Sequence, residues 1–140
     1  MFNYAQLPES FYRISIKAMV LNKDGKFMLM REDDGRWSLP GGGLDFGEKP
    51  FECLRREFLE EANMQLLTMQ EQPFAFFTAP NPLGFYNANV VYQATVDVTD
   101  YQATPECLAF SFFSAEESLS LYSFPGVSIF ADFMIRNQLL

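Results

Sequence analysis

Residues 40–64 read PGGGLDFGEKPFECLRREFLEEANM and combine a glycine-rich loop with a helical repeat. The three glycines after Pro40 let the backbone approach groups that a side chain would push away. From Pro50 to Ala62 apolar residues recur at helical spacing, which predicts an amphipathic helix with a proline at its first position. The predicted apolar stripe consists of Phe51, Leu54, Phe58 and Ala62.

The other side of this predicted helix concentrates carboxylates. At roughly 100° per residue, Glu57 and Glu61 lie about 40° apart, and Glu60 lies beside them. Like charges at this spacing cost a few tenths of a kcal/mol per pair, so a helix shaped by stability alone would avoid them. A divalent cation removes the repulsion, and hard oxygen ligands favour Mg²⁺ or Mn²⁺. The alternative is an ordinary solvated helix face.

The spacing around these glutamates is specific. Five residues separate Gly42 from Glu48, and seven more separate Glu48 from the run REFLEEANM, which begins at Arg56. This pattern resembles the signature of the Nudix hydrolases, which ends in Arg-Glu-apolar-x-Glu-Glu-x-Gly-apolar. Every specified position agrees except Asn63, where the signature has glycine.

The resemblance implies a fold and a reaction. The implied fold is α/β, a Nudix-like α/β/α sandwich with a mixed sheet, formed by residues 1–140 as a single domain. The implied activity is metal-dependent hydrolysis of the phosphoanhydride of a nucleoside diphosphate linked to a moiety X, of the nucleoside triphosphate or nucleotide sugar type. Its products are a nucleotide monophosphate and phosphorylated X. The alternative is a Nudix-fold module that binds a nucleotide or a partner without cleaving it, against which the intact glutamates argue.

The resemblance also implies roles for single residues. Mg²⁺, with Mn²⁺ as a substitute, would be held by the backbone carbonyl of Gly41 and the carboxylates of Glu57, Glu60 and Glu61. Glu48 would support the site through Arg56, and one of the glutamates would act as the general base. The expected partner is a small-molecule nucleotide, and a homodimer is a further expectation because dimers are common among relatives.

A fourth acidic ligand often comes from a loop before the last strand of the family sheet. Glu106 fits this description because it stands six residues ahead of Phe112, and Phe112-Phe113-Ser114 resembles the end of that strand. Asp97 is the competing candidate. A solvated loop acid is the third alternative for either residue.

Two residues depart from the family pattern. Asn63 stands where αL geometry is expected just after the helix, and asparagine is the non-glycine residue that most readily adopts it. Lys49 stands where relatives often have Thr or Ser as N-cap, and lysine cannot cap, so we expect a helix start weakened by about 1 kcal/mol.

The charge distribution excludes several classes of protein. The net charge of −8 opposes a broad electrostatic grip on nucleic acid or on an anionic membrane. Nine of the ten cations fall in the first 56 residues, so an anionic substrate must meet cations from that part or metal ions held on the acids. Arg31 and Arg36 are nearest the glycine loop and are the predicted substrate-binding cations, with a surface role as the alternative.

Histidine is absent, which excludes His-dependent catalytic triads and His-ligated metal sites. Cys53 and Cys107 lack CxxC spacing and are expected to be buried free thiols of a reducing compartment. No strictly apolar run exceeds four residues, and residues 1–10 lack the features of a signal peptide. These observations predict a cytoplasmic protein.

The remaining elements follow from periodicity. Strands are predicted at 13–21 and 27–30, joined as a hairpin. Further strands are predicted at 65–78, 86–98 and 108–113, the first two pairing antiparallel. A short helix capped by Ser114 and a C-terminal helix over 125–140 complete the chain. Substrate specificity is expected to reside around residues 74–86, where several aromatic residues could stack on a base or belong to the core.

Overall fold

The computed structural model describes residues 3–6 and 10–139. A 3₁₀ turn at Tyr4–Gln6 comes first. Eight strands and three helices follow within these ranges. Their bounds are β1 Tyr12–Met19, β2 Phe27–Arg31, β3 Trp37–Ser38, β4 Gly41–Gly43, α1 Pro50–Ala62, β5 Gln65–Met69, β6 Ala75–Pro80, β7 Tyr86–Asp97, β8 Ala109–Phe113, α2 Ala115–Ser118 and α3 Pro125–Arg136.

The strands form two sheets. The first has the order β4-β1-β7-β5, with β6 also paired to β7, and it is mixed because β1 and β7 run parallel. The second is the antiparallel sheet β3-β2-β8. One apolar core lies between the sheets and α1, and the other lies on the opposite side under α3. The expected α/β/α sandwich with a mixed sheet is confirmed. Within the described ranges, no helix is long and apolar enough to cross a membrane.

Helix α1 has the predicted bounds, but its buried face is rotated from the predicted stripe. Leu54, Phe58 and Ala62 are fully buried, whereas Phe51 is 43% exposed. Cys53 takes its place in the core and points its thiol at the carbonyls of Gly42 and Gly43. The rotation arises because α1 packs on the glycine strand β4 at the edge of the first sheet as well as on β1 and β5.

The two ends of α1 are as the sequence predicts. Lys49 makes no side-chain cap, although the Glu52 carboxylate accepts the Lys49 N–H at 3.4 Å. Asn63 has φ 51° and ψ 40°, the predicted αL conformation. Its side-chain amide also donates to the carbonyl of Asp100 at 3.0 Å. Asn63 therefore does more than end the helix: it ties the loop after β7 to α1.

We expect Asn63→Gly to leave the free energy of unfolding nearly unchanged. Glycine relieves roughly 1 kcal/mol of αL strain, but it raises unfolded-state entropy and loses the bond to Asp100. Asn63→Ala keeps a Cβ in αL and loses the same bond, so it should cost about 1–2 kcal/mol. Urea denaturation of both variants measures these differences. A loss above about 1 kcal/mol for Asn63→Gly would contradict this balance.

The prediction that β1 and β2 pair as a hairpin is wrong, although the predicted turn between them is present. The chain does reverse there, with Asn22 donating to the Lys26 carbonyl at 2.9 Å and a bridge between Leu21 and Phe27. Strand β2 then leaves for the second sheet. Both edges of β1 are already paired, one with β4 and one with β7, so β1 has no edge left for β2.

The predicted strand 65–78 is two strands, β5 and β6, each antiparallel to a successive part of β7. The predicted antiparallel pairing is thus confirmed, while its continuity is not. The break falls at residues 70–74, which contain Pro73, and proline cannot donate to a ladder. β5 itself is irregular between Leu66 and Thr68.

The C-terminal third follows the prediction with a shorter last helix. Ser114 caps α2 by accepting the Glu117 N–H at 3.1 Å, and the Glu117 carboxylate accepts the Ser114 N–H at 2.8 Å. Helix α3 ends at Arg136, where the Asn137 side chain bonds the Phe133 carbonyl at 2.8 Å. The predicted end at Leu140 lies outside the described residues.

Candidate active site

The glycine loop forms strand β4 and lies directly against α1. β4 pairs with β1, with Gly42 opposite Ile16. A Cβ on Gly42 would lie 2.7 Å from the Glu57 carboxylate, closer than real contacts allow. Gly41 has φ +119°, and a Cβ there would collide with the Ile16 carbonyl. Glycine at position 42 therefore lets α1 bring the Glu57 carboxylate against the strand, and glycine at position 41 lets β4 lie close to β1.

Three carboxylates meet beside this strand. Oxygens of Glu57, Glu61 and Glu106 all lie within 4.8 Å of one another. Glu57 and Glu61 come from consecutive turns of α1, and Glu106 comes from the loop between β7 and β8. We call these three residues the acid cluster.

The loop that carries Glu106 is fastened to the end of α1. The Thr104 hydroxyl donates to the Glu61 carbonyl at 2.5 Å and accepts the Glu106 N–H at 3.2 Å. The Gln102 N–H donates to the Ala62 carbonyl at 3.0 Å. With the Asn63 bond, these contacts fix the position of Glu106 relative to the helix.

The other predicted acids lie apart from the cluster. Asp97 is exposed and accepts bonds from the N–H and hydroxyl of Thr99 at 2.9 and 2.5 Å, which lower its pKa. Of the two candidates for the fourth acid, the structure brings Glu106 to the site and leaves Asp97 at the end of β7, paired with β5. The side chain of Glu60 is 58% exposed and lies 3.4 Å from the Arg56 guanidinium.

Burial dominates the electrostatics of the acid cluster. Burial raises the pKa of Glu61 well above its usual value, although the nearby Lys17 ammonium opposes this shift. Burial also raises the pKa of Glu57, against the opposing hydrogen bond and charge of Arg56. Glu61 is only 6% exposed, and its Oε1 is buried without a hydrogen-bond partner in the described part of the chain.

A divalent cation fits these residues. Several carboxylate oxygens converge, and the buried Glu61 Oε1 lacks the partner that buried polar atoms normally have. The nearby Gly41 carbonyl supplies another oxygen, which accepts from Lys17 Nζ at 3.3 Å. Such hard oxygen donors suit Mg²⁺ or Mn²⁺. The metal-ligand roles of Gly41, Glu57, Glu60, Glu61 and Glu106 stay predictions.

Arg56 connects the helix to the loop that precedes it. Its guanidinium binds both oxygens of Glu48, at 2.7 and 2.8 Å, as a bidentate pair. It also donates to the Glu57 carboxylate at 2.9 Å and to the Gly43 carbonyl at 3.1 Å. Arg56 therefore orients a carboxylate of the acid cluster, and Glu48 orients Arg56.

Glu48 should make stability depend on pH. The hydrogen bonds from Arg56 lower the pKa of Glu48 to about 2, so its contribution is complete above about pH 4.5 and is lost as the pH falls toward 2. We expect the free energy of unfolding of wild type to exceed that of Glu48→Gln by about 2 kcal/mol near neutral pH. This difference should disappear as the pH falls toward 2. Urea unfolding over this pH range measures it. A gap that stays constant with pH would contradict the assignment.

A cleft of about 380 Å³ opens on the face of the first sheet opposite α1. Its floor includes Ser15 and Lys17 on β1 and Asn87 and Asn89 on β7. Lys17 lines this cleft and also reaches the carbonyls of Leu39 and Gly41 at 3.3 Å. The Lys17 ammonium thus lines the cleft and also acts by its charge on Glu57 and Glu61.

The cations that line the cleft differ from those predicted to bind substrate. Among the described residues that line it, the cations are Arg13 and Lys17. Arg31 lies over the Trp37 ring at 5.9 Å. Arg36 pairs with Asp34 and lies 3.9 Å from the centre of the Phe124 ring, and Phe124 lines the cleft. Substrate binding by Arg31 and Arg36 stays a prediction.

Sequence reasoning missed Arg13, Lys17 and Asn89. The signal for Arg13 and Lys17 is the polar half of the alternation in β1, which by itself indicates only a half-buried strand. The side chain of Arg13 is 30% exposed, and its guanidinium donates to the Leu44 carbonyl and lies 3.9 Å from Asp45. A polar strand face that tertiary structure covers is a candidate binding floor, and periodicity alone does not show the cover.

The two cysteines are buried free thiols, as predicted. Burial raises the pKa of Cys53 to about 12 and that of Cys107 to about 11. Such thiols stay protonated and unreactive near neutral pH. They supply no nucleophile to the site.

Comparison with known structures supports the fold. A MutT protein from Methanosarcina mazei Go1 is similar over 94% of this chain and 96% of its own, with 27% identity and a TM-score of 0.67. A MutT NUDIX hydrolase from Burkholderia pseudomallei has a TM-score of 0.70 at 21% identity, over 88% of this chain and 98% of its own. The second likeness shows the fold alone.

Sequence comparison gives the family. A nucleoside triphosphatase, NudI of Escherichia coli O139:H28 (strain E24377A / ETEC), is 37% identical over 68 residues, which cover 44% of this chain and 48% of that protein. The chain therefore spans about half the length of the curated relatives that it matches. The family model of the NUDIX domain matches residues 11–130. This match covers most of the sequence, and the chain belongs to the NUDIX domain family.

Proposed function

We propose that this protein is a metal-dependent pyrophosphohydrolase. Its substrate would be a nucleoside diphosphate linked to a moiety X, and its products a nucleotide monophosphate and phosphorylated X. The observation that carries the proposal is the buried, unpartnered Glu61 oxygen within the acid cluster, beside the glycine strand. Membership of the family and the likeness to a nucleoside triphosphatase support the nucleotide as substrate.

The proposed cofactor is Mg²⁺, with Mn²⁺ as a substitute. Its ligands would come from the acid cluster, with Glu60 and the Gly41 carbonyl as the further ligands that the family pattern implies. When bound, the ion would offset charge on the diphosphate and lower the pKa of the attacking water. A metal site also needs its ligands held in a fixed orientation. The hydrogen bonds of Arg56 to Glu57, Glu48 and Gly43 hold the Glu57 carboxylate in place.

The chain's own groups would handle the proton and the phosphates. One carboxylate of the acid cluster accepts the proton of water as the water oxygen bonds to phosphorus and the bridging P–O bond breaks. The Lys17 ammonium lines the cleft and acts on Glu57 and Glu61 by its charge, so it would bind the phosphates of a substrate placed between the cleft and this cluster. Positive charge near the transferred group stabilises the charge that develops on it.

A substrate panel tests the proposal. The purified protein is incubated with nucleoside triphosphates, nucleotide sugars, ADP-ribose and dinucleoside polyphosphates, with Mg²⁺, with Mn²⁺ and with EDTA. We expect metal-dependent turnover of at least one compound, seen as release of a nucleotide monophosphate. Metal binding by calorimetry without turnover of any compound would overturn the hydrolase and favour a binding module.

A further inference from the structure

The Lys17 ammonium contacts an oxygen that the family pattern implies as a metal ligand. Its Nζ donates to the carbonyls of Gly41 and Leu39, each at 3.3 Å. The contact with Gly41 follows from the register of the first sheet, in which Lys17 of β1 is opposite Gly41 of β4. A positive group therefore already lies at one of the oxygens predicted to bind Mg²⁺.

The charge of Lys17 also acts on the two α1 carboxylates of the acid cluster. Burial raises the pKa of Glu61, and the charge of Lys17 and a hydrogen bond from the Gly41 backbone oppose this shift. Burial raises the pKa of Glu57 as well, and there the charge of Lys17 acts in the same sense as Arg56. Lys17 is therefore a counter-cation that the chain itself supplies to the acid cluster.

The contacts that hold the ammonium are weak. Both are longer than ordinary N–H···O bonds, which measure about 2.7–3.2 Å, and both acceptors are neutral carbonyls. None of the ion pairs among the described residues includes Lys17. Arg56, in contrast, is held by a bidentate pair with Glu48. Lys17 can thus leave the Gly41 carbonyl without breaking a strong bond.

The cleft offers the ammonium a second position. Lys17 lines the cleft together with Glu32, which directly follows β2. Burial raises the pKa of Glu32, and the charge of Lys17 is the main effect that opposes the shift. A lysine carries its charge on a flexible four-carbon stem. Negative charge therefore attracts the ammonium from the cleft as well as from the acid cluster, and the stem allows it to move.

We propose that Lys17 is a tethered cation that holds the Gly41 carbonyl in the metal-free protein and releases it when a divalent ion binds. An ammonium and a divalent ion at the same oxygen repel each other. The released ammonium would stay at the cleft on its stem and bind the phosphates of a substrate there. The inference rests on the proposed metal cofactor and goes beyond it, since it couples metal binding to phosphate binding through one side chain.

Calorimetric titration of the metal-free protein with Mg²⁺ and with Mn²⁺ tests the competition. Lys17→Met keeps the length of the side chain and removes its charge. Lys23→Met, at an exposed lysine in the turn after β1, is the matched control for net charge. We expect Lys17→Met to bind the ion about tenfold or more tightly than wild type, because the ion no longer displaces a nearby cation. Lys23→Met should bind within about twofold of wild type, because salt screens an exposed charge.

Thermal unfolding gives a second readout, which distinguishes competition from a structural role. In EDTA, Lys17→Met should have a Tm about 3 °C or more below that of wild type, because Glu57 and Glu61 lose a counter-cation. Saturating Mg²⁺ should remove most of this difference, because an ion that binds the variant more tightly stabilises it more. A merely structural lysine would leave the same difference with and without Mg²⁺.

Binding of inorganic phosphate, measured with and without saturating Mg²⁺, tests the coupling. Mg²⁺ should tighten phosphate binding to wild type, because the ion and the released ammonium both attract the anion. In Lys17→Met the tightening should be smaller by about threefold or more, because only the ion remains. Equal tightening in the two proteins would overturn the coupling.

Equal or weaker metal binding by Lys17→Met would overturn the tethered cation, as would a Tm difference that persists at saturating Mg²⁺. Should Lys17→Met fail to fold, Lys17→Gln decides, because it keeps a donor for the Gly41 carbonyl and loses the charge. Metal binding by none of these proteins would overturn both this inference and the metal-dependent hydrolase. Tighter binding by the variant without turnover in the substrate panel would retain the tethered cation and reject the hydrolase. Turnover with unchanged metal affinity would do the reverse.

Discussion

Glu61→Gln should lower turnover by roughly 10² or more while the fold survives. The substitution keeps the size of the side chain and removes a charge from the acid cluster. Without metal, the free energy of unfolding should rise by about 1 kcal/mol, since a buried carboxylate with an unpartnered oxygen becomes a neutral amide and its repulsion with Glu57 disappears. Steady-state kinetics and urea unfolding in EDTA measure the two effects.

The metal itself provides a second readout for Glu61. Mg²⁺ should raise the Tm of wild type, because a ligand that binds only the folded state stabilises it, and should raise that of Glu61→Gln less. Glu71→Gln, an exposed glutamate between β5 and β6, is the control and should behave as wild type. A variant that unfolds, while its remaining folded fraction turns over normally, would show that these acids are structural.

Arg56→Met should be the most destabilising of the substitutions considered. It removes the hydrogen bonds to Glu48, Glu57, Glu60 and Gly43 together with the ion pair to Asp45. Glu48 and Glu57, whose side chains are each 12% exposed, are left without their cation. Breaking such a pair on one side costs about 3–5 kcal/mol. Turnover of the folded fraction should also fall, because Glu57 loses its orienting contact.

Arg55→Met is the matched control, since Arg55 is the exposed neighbour on the same helix. It should change stability by less than about 0.5 kcal/mol. The stability of Arg56→Lys should lie between those of Arg55→Met and Arg56→Met. Lysine keeps the positive charge, but it cannot form the bidentate hydrogen bonds to Glu48. Urea denaturation of the three variants gives the order, and equal stability of Arg55→Met and Arg56→Met would refute the role of the network.

Local features of the sequence were sufficient to predict helix α1 and the residues at which it begins and ends. Periodicity, a proline and an asparagine predict α1 from Pro50 to Ala62 and the αL conformation of Asn63, because these depend on neighbours within a turn. The rotation that buries Cys53 and exposes Phe51 was not predictable in this way, since it depends on contact with β4. The same limit applies to Glu106 and Asp97, because the tertiary fold rather than the local pattern decides which of the two lies beside α1.

The cleft could not be predicted because its parts are distant in sequence. The sequence pattern of β1 predicts a strand with one polar face, and it does not indicate a cleft. That face becomes the floor of the cleft because β7 places Asn89 beside Ser15 and the start of α3 places Phe124 at the wall. Arg36, predicted to bind substrate from its proximity to the glycines, lies over the ring of Phe124, which lines this cleft.

The parallel pairing of β1 with β7 also constrains how the protein folds. Residues 12–19 pair with residues 86–93, so about half the chain must be looped out before this ladder forms. Contacts of such long sequence separation form slowly, whereas a helix such as α1 forms from local contacts. During synthesis the acidic helix can therefore appear early, but the cleft must wait until β7 has left the ribosome. The proposed substrate site is thus completed late in folding, together with the pairing that completes the sheet.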